Sequence, residues 1–282
     1  MNLIKTSLCT LAAAVMITSC DSDDPKSTYE YQYKSNFSYV TDLQTGAAEV
    51  LDAAEYEIEF DVASGAADIV ISNLKYSSSK PATKLHIEST FRQNENRALA
   101  VNVPSATSVA NGYTHQVTDF RLAQSAVQIS AVGQMFLFYD ISFVLDNRYS
   151  VRAVQTHVVL AGKTVITPVG STEGKTDRQP FYSYILNPST SAATLVVYNL
   201  SDGKTTYPEL QFEKLPFTVG PNGVNINVTD KLTAKQSAAT ATPFVINGLK
   251  LDARYNSSTQ IEFATDEITY AAKVSYLPKD FE

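Results

Sequence analysis

The chain has 282 residues, with 29 acidic and 22 basic side chains, three His, two Cys, 16 Tyr and no Trp. An apolar fraction of 44% is that of a folded soluble protein, which excludes wholesale disorder and a multi-span membrane protein. A net charge of -7 excludes an electrostatic nucleic-acid binder, which needs a basic face.

The N-terminus carries Lys5 and then an apolar run from Leu8 to Ile17. Ten to twelve apolar residues are too few for a membrane-spanning helix, which needs about 20. A basic start, a short apolar core and then small residues make a secretory signal. Its end, Ile17-Thr18-Ser19-Cys20, resembles a bacterial lipobox, in which the Cys becomes the first mature residue and carries lipid. The tract that follows, Asp21-Ser22-Asp23-Asp24, resembles the export signal of surface lipoproteins in Bacteroidetes. The resemblance implies removal of residues 1–19, loss of Cys9 and a mature chain of 263 residues (282 minus 19) whose one Cys is acylated. It leaves no thiol for a disulfide or a thiolate metal site. Residues 20–28 then form a short lipidated tether.

Beyond the tether, alternation dominates. Tyr29-Glu30-Tyr31-Gln32-Tyr33 and Glu55-Tyr56-Glu57-Ile58-Glu59-Phe60-Asp61 alternate strictly. Ala67–Leu74, Phe136–Tyr139, Ile141–Val144, Thr194–Tyr198 and Gln260–Phe263 read as further strands. Turn pairs separate them: Asn111-Gly112, Asp146-Asn147, Ala161-Gly162, Asp202-Gly203, Asn222-Gly223 and Asn247-Gly248. Two stretches are weakly compatible with helix. Gly46–Glu55 is equally well a strand leaving a Gln44-Thr45-Gly46 turn, and Asp230–Ala239 has no apolar stripe.

An internal repeat organises these strands. Tyr56–Leu74 aligns with Tyr182–Leu200 without gaps, identical at six of 19 positions. Downstream, Val117–Leu122 matches Ile246–Leu251, Ile141-Ser142-Phe143 matches Ile261-Glu262-Phe263, and Tyr149 matches Tyr270. Each copy opens with what reads as a hairpin. In the first, Phe37–Val40 turns at Gln44-Thr45-Gly46; in the second, Val158–Leu160 turns at Ala161-Gly162-Lys163. The predicted fold is all-β: two tandem antiparallel β-sandwich or barrel-like domains, copy one over 29–155 and copy two over 156–282. This layout resembles the uncharacterised duplicated β-domain lipoproteins of gut Bacteroidetes, which implies a location and no activity.

The sequence assembles little chemistry. His86, His115 and His157 have no metal-ligand spacing and read as solvated strand residues. There is no GxSxG elbow, Walker A or GxGxxG. Ser77 and Lys80 have SxxK spacing but lie in a turn between strands. Glu55, Glu57 and Glu59 share one strand face, which suits a cation or glycoside hydrolysis and equally a solvated face that resists edge pairing. Asp146-Asn147 and Asp266-Glu267 recur as tight turns. Tyr29, Tyr31 and Tyr33 form a stripe that suits either a sugar platform or the core.

The sequence therefore points to a lipoprotein anchored through Cys20 in the outer membrane, exposed at the cell surface, and not an enzyme. It predicts no catalytic residue, metal or cofactor, no nucleic-acid partner, and a glycan or envelope protein as ligand. The alternatives are a structural or adhesin-like accessory subunit that adds strands to a partner, and a polysaccharide hydrolase with dispersed carboxylates.

Overall fold

The computed structural model describes residues 28–93, 98–110, 112–129, 134–236, 243–255 and 258–275. Nearly all of these lie in antiparallel strands, and the one helical piece among them is a 3-10 turn at Pro188–Thr190. The chain divides into two compact units. The first runs to Leu122 and takes up Ile141–Val154; the second takes Ala123–Asp140 and continues from Gln155.

Eight strands close a barrel in chain order. They are β1 (Thr28–Asp42), β2 (Ala48–Asp61), β3 (Ala66–Leu74), β4 (Thr83–Gln93), β5 (Leu99–Ala110), β6 (Tyr113–Ile129), β7 (Gln134–Leu145) and β8 (Tyr149–Gln155). Period-two alternation decides which face is inward. Tyr56, Ile58 and Phe60 are buried while Glu55, Glu57 and Glu59 are exposed, and Ile69, Ile71, Leu85 and Ile87 continue the inner layer on β3 and β4. Gly46–Glu55, ambiguous in sequence, belongs largely to β2. The β7–β8 hairpin turns on Asp146 and Asn147, whose φ angles of 53° and 52° are those of a type I′ turn. That turn matches the twist of the strands it joins. The seam between the first strand and the last is fastened where Leu43 N–H donates to the Arg148 carbonyl at 2.8 Å.

The second body holds β9 (His157–Ala161), β10 (Lys163–Pro168), β11 (Lys175–Asp177), β12 (Phe181–Asn187), β13 (Ala192–Ser201), β14 (Thr206–Gly220), β15 (Gly223–Thr233), β16 (Lys235–Gln236), β17 (Val245–Arg254), β18 (Ser258–Ala264) and β19 (Ile268–Ser275). Its sheet runs β11-β10-β19-β18-β17-β15-β14-β13-β12-β9, with β16 beside β14. Here the predicted opening hairpin is corrected. β9 pairs with β12 and β10 with β19, so Gly162 is a one-residue break in a single strand that serves both ends of the sheet. The sheet curls round on itself as a result. Gly162 is required there, because a Cβ would fall 2.6 Å from Val274 Cγ2 and 3.1 Å from the Lys273 carbonyl.

The repeat is structural as well as sequential. β2 to β8 correspond in order to β12, β13, β14, β15, β17, β18 and β19, and β1 to the β9–β10 strand. Two of its matched pairs sit at positive φ: Asn73 with Asn199 (57° and 53°), and Asp119 with Gly248 (52° and 95°). Asn, Asp and Gly are the residues that tolerate that backbone region, which explains their recurrence.

Candidate functional site

β1 carries the chain from Thr28 at one end of the first barrel to Asp42 at the other. The Asp42 end gathers the turn after β1, the β3–β4 loop, the start of β6 and the β7–β8 turn, and on them a set of polar and aromatic side chains meets. His115, on β6, is 6% exposed and hydrogen-bonded on both ring nitrogens. Nδ1 lies 2.9 Å from Asp146 Oδ2, and Nε2 lies 3.1 Å from Thr83 Oγ1. An ionised carboxylate only accepts, so Nδ1 carries the proton of the neutral ring and Nε2 accepts from the Thr83 hydroxyl. The other Asp146 oxygen accepts from the Gln116 N–H at 3.0 Å, and the Asp146 N–H donates to the Gln116 carbonyl at 2.7 Å.

Rings cover this network. Tyr76, half-buried in the β3–β4 loop, meets His115 edge-on at 5.8 Å between centroids and Tyr149 at 5.2 Å. Burial first, and then the Asp146 carboxylate, pushes the Tyr76 phenol up. Arg148 stands 5.0 Å from the Tyr149 ring centroid, a cation–π contact. Its Nη2 donates to Asp42 Oδ2 at 2.8 Å. That hydrogen bond holds the Asp42 carboxyl down at about 2, against an opposing push from burial. Tyr113, two residues before His115, stands 66% exposed at the same end.

Thr83, His115 and Asp146 have the order of a nucleophile, base and orienting acid. Their bonds also do structural work, since Asp146 pins the β7–β8 turn onto β6. The second unit shows what the fold requires at this place. The registers Leu74–Thr83 and Leu200–Tyr207 set Thr83 against Tyr207, and the repeat sets His115 against Phe244 and Tyr149 against Tyr270. There Tyr207 packs edge-on to Phe244 at 4.8 Å, and Phe244 lies 6.5 Å from Tyr270. In the second unit rings stand where the first unit has Thr83 and His115, and the Tyr207 hydroxyl donates to Asp202 at 3.1 Å.

The other sequence candidates lie apart. Glu55, Glu57 and Glu59 face outward, and Glu59 stands in register between Glu30 and Asp68, with Glu88 beyond. His86 is exposed, as expected, and 2.8 Å from Asp68. His157 Nε2 lies 2.8 Å from Ser183 Oγ. His115 departs from the solvated reading. Its burial was legible, since it alternates with the inward Val117. Ser77 bonds Ser79 within its loop. Of the Tyr stripe, Tyr33 is buried, Tyr31 half-buried and Tyr29 exposed. Among the described residues, no group of three or more His, Cys, Asp and Glu is placed to hold a metal ion, and no helix is long and apolar enough to cross a membrane. Cys20, Asp21, Ser22, Asp23 and Asp24 lie outside the described residues.

No protein-family model, no curated protein and no solved structure matches the chain.

Proposed function

We propose that this is a lipid-anchored, non-catalytic binding protein of the outer membrane, displayed at the cell surface and holding its ligand at the Asp42 end of the first barrel. The observation that carries the reading is where the aromatic and polar groups gather. β1 has 15 residues, which at roughly 3.3 Å each span about 50 Å along the strand. Tyr76, His115, Asp146 and Arg148 sit at the end opposite Thr28, the end that an anchor at Cys20 directs away from the membrane. The ligand is a glycan or an envelope protein.

The accessory-subunit reading by strand addition would have to use the second sheet, whose order ends in β11 and β9. β1 to β8 close on themselves, and a closed barrel has no free edge to extend. The hydrolase reading needs carboxylates converging on one bond, whereas Glu55, Glu57 and Glu59 stand in a row facing solvent.

The test is a glycan array probed with the full chain in detergent micelles. Saturable binding to one glycan class is the expected result. A blank array from folded protein leaves the envelope-protein branch, read out by cross-linking on intact cells. Failure of both removes the binding reading.

A further inference from the structure

We draw no further inference here: the strongest candidate, the apolar side chains of Leu43, Val109 and Tyr113 exposed on the hairpin tips at the Asp42 end of the first barrel, carries nothing because nothing in the structure shows what covers them.

Discussion

The Tyr182 hydroxyl lies 2.7 Å from Thr164 Oγ1, with both side chains wholly buried in the second unit. Burial pushes the Tyr182 phenol up to about 12. The same pair of positions, 126 residues earlier, holds Tyr56 and Ser38. Both are buried, and neither hydroxyl has a hydrogen-bond partner. Identical substitutions at equivalent sites therefore have different consequences. Tyr182→Phe orphans Thr164 and costs about 1–3 kcal/mol, whereas Tyr56→Phe removes an unpartnered hydroxyl and stays within about 0.5 kcal/mol of the parent. Calorimetry of the two variants reads the difference; equal losses would show that the pair is not what separates the two cores.

The Asp42–Arg148 pair fastens the seam of the first barrel, and its pH dependence has a definite sign. The folded carboxyl sits at about 2 against an ordinary 3.8, so folding favours the ionised form. Its contribution is complete above the unfolded value and is lost as pH falls from about 4 through 2. Asp42→Asn lowers the melting temperature at pH 7, and the gap to the parent narrows below pH 4. A gap that stays constant to pH 2 removes the pair from the acid response.

Much of this fold was legible because its signals are local. Tyr56, Ile58 and Phe60 against Glu55, Glu57 and Glu59 state which face is inward, and Asp146-Asn147 states a hairpin. The recurrence of Asn73 at Asn199 marks a backbone requirement as well as kinship. What stayed hidden depends on pairing across distance. Ala161-Gly162-Lys163 has the composition of a hairpin turn, and only the partners of β9 and β10 reveal that the chain runs on past Gly162 without turning back. The meeting of Thr83, His115 and Asp146 depends on the register of β4, β6 and the β7–β8 turn, whose residues stand 31 to 32 apart in sequence.

The outer face of β1 to β4 carries Glu30, Glu59, Asp68 and Glu88 in one registered row. Like charges directly opposite one another destabilise a sheet. Glu59→Lys replaces two repulsive oppositions by attractive ones and raises the first unit's melting temperature by roughly 1–3 °C at low salt. The gain fades in 1 M salt, where the screening length is about 3 Å. A rise that ignores salt would have another cause, and a fall would sink the account.

The resemblance of residues 17–20 to a lipobox makes the proposed localisation testable. On the lipobox resemblance, Cys20→Ser removes the side chain that would carry the lipid, so the protein is expected to leave the membrane fraction. Replacing Asp21, Asp23 and Asp24 with Ala is expected to preserve acylation and reduce cleavage by external protease. A Cys20→Ser protein that remains membrane-bound and acylated contradicts the anchor, and unchanged protease access contradicts the export signal.

His115 links Thr83 to Asp146, and the second unit suggests how to test whether that link is energetic. Phe244 stands at the equivalent place and itself carries no polar group. His115→Phe in the first unit leaves the buried Thr83 hydroxyl without its acceptor and one Asp146 oxygen without its donor, at a cost of about 1–3 kcal/mol. Thr83→Val alone deprives Nε2 of its donor. The double variant removes donor and acceptor together, so its loss falls short of the sum of the single losses by about 0.5–3 kcal/mol, the range for residues in one network. Denaturant unfolding of the four proteins measures this coupling. Strict additivity would mean that the 3.1 Å approach of Oγ1 to Nε2 contributes nothing.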